Sequence, residues 1–317
     1  MNEHLASLEK TLKRNPIHAF DPHILSQLHL DATGIAGRTD KIAKTRTPKK
    51  EYQAAWLKAA VTMIDLTTLE GADTPGRLQR IIRKAIRPIP NDAEVQVAAV
   101  CVYGNLVSQA KKLLDGSPIK VAAVSTSFPH GQTPLQLKVE ETKTLVNLGA
   151  DEIDMVVSRN ALLSGDYYRV YEEIAEIREA CGETHLKVIL ETGELGSLSE
   201  VWIASEIAMQ AGADFIKTST GKIPSAATPQ VGLVMLHAID SFHKRTGYQI
   251  GLKPAGGLRL AKQSLFWLAM VKETVGDEWL TSQLFRIGAS SLLDDIVRQL
   301  HHFETGQYES YDYVPKG

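Results

Sequence analysis

Cysteine is almost missing from this 317-residue chain, with Cys101 and Cys181 the only two. Two thiols cannot build a disulfide framework and sit comfortably in a reducing compartment. Neither sign of charge dominates: 35 Lys plus Arg face 37 Asp plus Glu, a formal charge of −2. That balance argues against a surface built to coat nucleic acid or anionic lipid. No apolar run approaches the roughly 18 residues of a membrane span, and Met1 to Lys10 is polar, without the apolar heart of a secretion signal. The chain therefore reads as cytoplasmic, with no membrane partner. Its ten histidines show no H-E-x-x-H or other ligand spacing, and His301-His302 reads as a surface pair.

What is present is ordinary globular material, 44% hydrophobic and 23% charged, long enough for two average domains or one large barrel. Residues 1–55 read as an N-terminal extension. Within it Lys41 to Lys50 carries five basic residues in ten, interleaved with Thr45, Thr47 and Pro48, the composition of a linker or solvated arm. A nucleic-acid contact is the sharper reading of that run, but the net charge gives it no support.

From residue 56 to 303 short apolar runs alternate with helical periodicity. Eight strands are predicted: Thr62 to Leu66, Val95 to Val102, Lys120 to Ser125, Glu152 to Val157, Leu186 to Leu190, Phe215 to Ser219, Ile250 to Lys253 and Phe285 to Gly288. Thr74-Pro75, Thr133-Pro134 and Thr228-Pro229 each offer a hydroxyl cap followed by proline at a first helical position. Gly149-Ala150-Asp151 and Gly212-Ala213-Asp214 place a glycine where a helix closes before the next strand. Eight βα units in about 240 residues are the arithmetic of an α/β protein of the TIM (β/α)8 barrel type, carrying an N-terminal helical or irregular extension. A doubly wound open sheet is the alternative, but no G-x-G-x-x-G follows the first strand. Residues 304–317, with their acidic and aromatic stretch Tyr308 to Tyr313, read as a C-terminal tail.

If Ile64, Leu66, Ile153, Met155, Val157, Ile216 and Leu252 face the helices, the alternate residues face the barrel interior. Those are Asp65, Thr67, Cys101, Glu152, Asp154, Lys187, Glu191, Lys217, Ser219, Lys253 and Arg286. Buried unpaired charges cost several kcal/mol, so the acids and bases must pair or be used. Glu152, Lys187 and Arg286, early or midway in their strands, read as ion pairs. Asp65, Asp154, Lys217 and Lys253 lie near the C-terminal strand ends, the face on which barrel active sites are built.

Two inward lysines on neighbouring strands need a chemical reason. A lone amine of pKa near 10.4 is neutral in about one molecule in 2,500 at pH 7. A second ammonium at about 5 Å, at an effective dielectric near 20, adds roughly 3 kcal/mol against protonation, with partial desolvation supplying the remainder. Such an amine can attack a carbonyl.

Taken together, Asp65-Leu66-Thr67-Thr68-Leu69, Glu152-Ile153-Asp154, Phe215-Ile216-Lys217-Thr218-Ser219-Thr220-Gly221-Lys222, Gly251-Leu252-Lys253-Pro254-Ala255-Gly256-Gly257 with Arg259, and Gly288-Ala289-Ser290-Ser291 resemble the deoxyribose-phosphate aldolase family across Val61 to Leu300. The resemblance implies reversible cleavage of 2-deoxy-D-ribose 5-phosphate to acetaldehyde and D-glyceraldehyde 3-phosphate, a step of deoxyribose phosphate catabolism. It implies Lys217 as the Schiff-base lysine, Lys253 as its pKa-depressing neighbour and proton-relay partner, and Asp154 as the acid/base on the C3 hydroxyl. It implies no cofactor and no metal, because a protonated imine does the work of a Lewis acid.

Asp65, Thr67 and Cys101 would line the substrate site. Thr220, Lys222, Gly256, Gly257, Arg259, Ser290 and Ser291 would receive the phosphate, the two serines opening a helix. Cys101 also reads as a small packed side chain. Another phosphosugar barrel activity, transaldolase- or isomerase-like, is the competing enzyme reading, and a binding scaffold using the Lys41 to Lys50 run is the non-enzyme one. The chain is compatible with a homodimer. Thr220-Gly221-Lys222 is no phosphate-binding Walker loop, since Ile216 and Ile223 occupy the positions that need glycine and a hydroxyl. In relatives a terminal tyrosine can reach the active site, but here Val314 to Gly317 follow Tyr313. Gly104 stands where a proline often follows the Cys-x-Tyr string.

Overall fold

The computed structural model describes residues 12–26, 30–46, 48, 51–224 and 227–307; Met1 to Lys10, Lys49, Lys50 and Tyr308 to Tyr313 lie outside them. Eight parallel strands form one sheet: β1 (Ile64–Thr67), β2 (Ala99–Val102), β3 (Lys120–Ser125), β4 (Glu152–Val156), β5 (His185–Ile189), β6 (Phe215–Lys217), β7 (Gly251–Lys253) and β8 (Ile287–Ala289). Each pairs with the next, and β8 returns to β1. Bridges Leu252 to Phe285 and Ala255 to Gly288 tie β7 to the approach of β8, completing the ring of the (β/α)8 barrel.

The alternation is the expected one. Ile64, Leu66, Ile153, Met155, Val157, Ile216 and Leu252 pack in the main core between strands and helices, whereas Cys101, Ala122 and Val124 form a small separate cluster with Leu69. Phe215 lies opposite Gly251, where a Cβ would come within 2.3 Å of the ring, so the glycine is what admits the aromatic there.

The two Gly-Ala-Asp strings have a shared physical logic. Gly149 and Gly212 take φ of 94° and 93°, a left-handed turn that suits glycine. Each following aspartate then ties the preceding strand: Asp151 accepts from the Val121 amide (2.8 Å) and Asp214 from the Leu186 amide (2.9 Å). Lys111 neutralises the first, and Arg14, from the N-terminal extension, neutralises the second.

Thr74 and Thr228 cap their helices as expected, accepting from the amides of Arg77 and Val231. Thr133 does not. Its hydroxyl is taken by Ser127 Oγ at 2.5 Å, and the helix starts at Leu135 without a side-chain cap. The strand β6 is shorter than predicted, ending at Lys217; Thr218 and Ser219 follow it and donate their hydroxyls to the carbonyl of Ala255 (2.9 and 2.6 Å). Val95 to Ala98 precede the strand β2 rather than belonging to it. Half of the basic run is no arm: Lys41 to Thr45 complete a helix, Ala32–Thr45, that buries Ile35, Thr39 and Ile42, and Arg46 pairs with Glu273. His301 and His302 lie half-buried on the last helix, Leu292–Thr305, rather than at the open surface. At Gly104 a Cβ would stand 2.6 Å from Leu145, so the small residue accommodates that leucine.

Candidate active site

Register brings the charges together. Asp154 pairs across the ladder with Lys187, and Lys217 with Lys253, so strand geometry alone sets acids and lysines at neighbouring levels of one enclosed barrel. Asp154 Oδ2 accepts from both Lys217 Nζ (2.8 Å) and Lys253 Nζ (2.7 Å), while its Oδ1 accepts from Lys187 Nζ (3.0 Å). Lys253 also meets Asp65 at 2.5 Å, Arg286 bridges Asp65 (2.6 Å) and Glu152 (2.7 Å), and Lys187 bonds Glu152. The three residues read as ion pairs, Glu152, Lys187 and Arg286, are ion-paired, and they form the lower tier of the same network.

Four cations thus face three carboxylates inside the barrel, leaving one surplus positive charge if all are ionised. A buried uncompensated charge is expensive, so the cluster is relieved when one amine gives up its proton. The directions of titration say which. Burial lowers Lys217, Asp154 pulls it back up, and the Lys253 ammonium lowers it further, with the net result below the usual lysine value. Burial acts against Lys253 and Lys187 too, but Asp154 with Asp65 and Glu152 hold both above it. Burial alone would raise Asp154; Lys187, Lys217 and Lys253 overcome it and keep its carboxyl well below the carboxylate range. The expected ordering of causes is corrected here: withdrawal from water is the leading influence on Lys217, and the neighbouring ammonium comes behind it.

Lys217 also opens outward. It lines a cleft of about 210 Å³ at the C-terminal face, together with Thr67, Thr220, Lys222, Gly256, Gly257, Arg259, Ser290 and Ser291. Lys253, Asp154, Asp65 and Cys101 are absent from that lining and fully buried. Asp65 and Cys101 were expected to border the substrate. Asp65 is instead consumed by Lys253 and Arg286, and Cys101 sits 4.0 Å from Asp154 with burial pushing its thiol up. Gly256 and Gly257 adopt φ of 92° and 82°, and a Cβ on Gly256 would meet Ser219 Oγ at 2.6 Å, so this turn needs glycine. Lys222 spans the cleft mouth to Glu70 (3.1 Å).

Sequence reasoning passed over Arg77, which enters the cleft from the helix Pro75–Ile86, and turned Glu191, which bonds Thr220, inward without giving it a role. Arg77 follows the Thr74-Pro75 cap by one helical turn, and that offset from β1 was the signal available. The three network carboxylates are all taken by lysine or arginine. Among the described residues no group of three or more His, Cys, Asp or Glu could hold a metal ion, and no helix is long and apolar enough to cross a membrane.

Residues 59–296 match the model of the DeoC/LacD family of aldolases. The deoxyribose-phosphate aldolases of Mus musculus and Homo sapiens are each 51% identical over 302 residues, 92% of this chain and 95% of the relative. The deoxyribose phosphate aldolase of Aeropyrum pernix, described as a tetramer, superposes with a TM-score of 0.60 at 23% identity, covering 82% of this chain and 100% of that one, a likeness of fold.

Proposed function

The chain belongs to the DeoC/LacD family of aldolases, and on that premise we propose that it cleaves 2-deoxy-D-ribose 5-phosphate reversibly to acetaldehyde and D-glyceraldehyde 3-phosphate through a Schiff base on Lys217. The observation that carries the assignment of the nucleophile is positional: among the described residues, Lys217 is the one amine of the buried network that reaches the cleft, and it is the one whose pKa is lowered.

The neutral amine of Lys217 attacks the C1 aldehyde, and loss of water from the carbinolamine gives the iminium. Asp154, ionised at neutral pH and buried behind Lys217 rather than in the cleft lining, accepts the C3 hydroxyl proton through a water. The C2–C3 bonding electrons pass into the iminium, leaving an enamine on Lys217 and releasing glyceraldehyde 3-phosphate. Reprotonation at C2 and hydrolysis release acetaldehyde and restore the amine. Lys253, held protonated by Asp154 and Asp65, acts in this scheme as a fixed cation that disfavours a second one at Lys217, rather than as a group that trades protons.

The phosphate is received at the far end of the cleft. Ser290 and Ser291 stand at the start of the helix Leu292–Thr305, where amides and helix dipole favour an anion. Gly256-Gly257 lets a backbone turn approach closely, and Arg259, Lys222 and Arg77 add positive charge. Thr67 borders the same cleft near β1. An isomerase in the same barrel would enolise its sugar without an imine, so trapping separates the readings. With deoxyribose 5-phosphate and borohydride, a covalent adduct at Lys217 is expected, and Lys217→Leu abolishes both the adduct and glyceraldehyde 3-phosphate release while remaining folded. A folded parent protein that forms no adduct refutes the proposal.

A further inference from the structure

One buried acid behind the cleft wall is left over by that scheme. Glu191 follows β5, is fully buried, and holds a φ of 53° that side-chain-bearing residues rarely adopt. That conformation turns its carboxylate toward the loop after β6. Oε1 accepts from the Thr220 amide (3.1 Å) and Oε2 from the Thr220 hydroxyl (2.5 Å), with Arg159 at 3.5 Å as the counter-charge. Arg159 is itself anchored, pairing with Glu194 (2.9 Å) and donating to the carbonyls of Pro129 and His130 (both 3.3 Å).

The consequence lies in the direction of one proton. A threonine hydroxyl has one hydrogen and two lone pairs. Here the hydrogen goes to Glu191, and one lone pair accepts from the Lys222 amide (3.1 Å). The lone pair that remains makes Thr220 an acceptor only, and the residue lines the cleft. The neighbouring amides are spoken for as well: Thr220 N–H by Glu191, Gly221 N–H by Ser219 Oγ (3.2 Å), and Lys222 N–H by Thr220. This loop therefore offers a phosphate the Lys222 ammonium but neither a hydroxyl proton nor those amides, and its Thr220 end suits a group that donates.

Resting on the aldolase reading above, we infer that Glu191 is a positioning residue that turns Thr220 into a hydrogen-bond acceptor for a substrate hydroxyl, the one between the carbon that reacts and the carbon that bears phosphate. With C1 on Lys217, the C3 hydroxyl facing Asp154 and the phosphate at Ser290 and Gly257, the C4 hydroxyl is the donor that lacks a partner. Thr220 is thereby moved from the phosphate-binding set to the discrimination of the acceptor aldehyde, in which the C4 hydroxyl is the single free hydroxyl.

The test runs the reaction in the synthetic direction, with acetaldehyde and either D-glyceraldehyde 3-phosphate or its analogue without the hydroxyl, 3-phosphooxypropanal. Glu191→Gln keeps size and an oxygen for the Thr220 amide, but its NH2 donates to the Thr220 oxygen and frees the hydroxyl proton toward the cleft. The kcat/KM preference for the hydroxylated acceptor over the analogue should fall about tenfold, mostly in the KM of the hydroxylated acceptor. Borohydride trapping of acetaldehyde on Lys217 should persist. A preference that is unchanged, or kinetics that fall equally for both acceptors, overturns the inference in favour of a purely structural role. If the variant fails to fold, Thr220→Val carries the same measurement, and an unchanged preference there is equally fatal. Absence of acetaldehyde trapping in the parent protein removes the aldolase reading and this inference with it.

Discussion

Replacing Lys253 by methionine tests the electrostatic argument directly. The side chain stays unbranched and is one atom shorter, and the change removes one cation from a buried set of four cations and three carboxylates, so ionised partners then balance with Lys217 protonated. Because Lys217 and Lys253 share Asp154 Oδ2 at 2.8 and 2.7 Å, their nitrogens are neighbours. At about 5 Å and an effective dielectric near 20, the lost repulsion is about 3 kcal/mol, or roughly two orders of magnitude in the fraction of neutral Lys217 at a fixed pH. The proper assay is the rate of borohydride-trapped acetaldehyde adduct across pH 6 to 10, read by intact mass. At neutral pH the Lys253→Met rate should drop about 100-fold, and the rising limb of its profile should move to higher pH, so that activity partly returns in alkali. A uniform loss at every pH, with the limb unmoved, would falsify the argument and assign Lys253 a role other than depressing Lys217.

Asp154→Asn should be strongly destabilising, because it removes the carboxylate shared by three lysines and leaves Lys217 with no acidic partner, while Lys187 and Lys253 keep Glu152 and Asp65; a loss of about 3–5 kcal/mol by urea unfolding is expected, together with loss of turnover. Gly256→Ala strains a turn at φ 92° and presses on Ser219, so it should raise KM for the phosphorylated sugar with little effect on acetaldehyde trapping; equal effects on both would contradict a phosphate role. Acid stability follows from Asp65, Glu152 and Asp154, all lowered by their cationic partners. Groups lowered on folding leave the unfolded chain holding more protons, so their contribution is complete above the ordinary carboxyl values of about 4 and is lost as pH falls below them. Thermal melts should therefore drop steeply beneath pH 4, after a shallower decline that begins near the ordinary histidine value of about 6.5, because burial lowers His18, His185 and His237 and the fold resists charging them; melts that do not steepen beneath pH 4 would contradict this.

Much of this was legible in the residues. Strand parity, read from Ile64, Leu66, Ile153 and Ile216, correctly turned the seven charged groups of the ion-pair network inward, because a closed barrel leaves each strand residue only two directions to face. Proline after threonine marked two helix starts correctly, since local chemistry decides them; at Thr133 a tertiary partner, Ser127, won the hydroxyl. The tiers were not legible. Asp65 and Cys101 share the inward face with Lys217, but which of them touches the cleft depends on how deep each strand sits, and that follows from sheet stagger rather than local pattern. Glu191 was placed inside without a role, because its use depends on a left-handed backbone angle and on Thr220, 29 residues away. The ranking of burial above the Lys253 charge likewise needed three-dimensional enclosure.

The extension that precedes the barrel sets a limit on modularity. Arg14 is the cation that matches Asp214, a nearly buried carboxylate that fastens the strand β5 and immediately precedes the strand bearing Lys217. Asn15, 1% exposed, closes the carbonyls of Met209 and Ala213 at the end of the helix leading there. Anyone grafting or shortening this enzyme to its repeating βα units would leave that aspartate without its counter-ion a few residues from the nucleophile, so the excisable unit has to begin upstream of Arg14 rather than at the first strand.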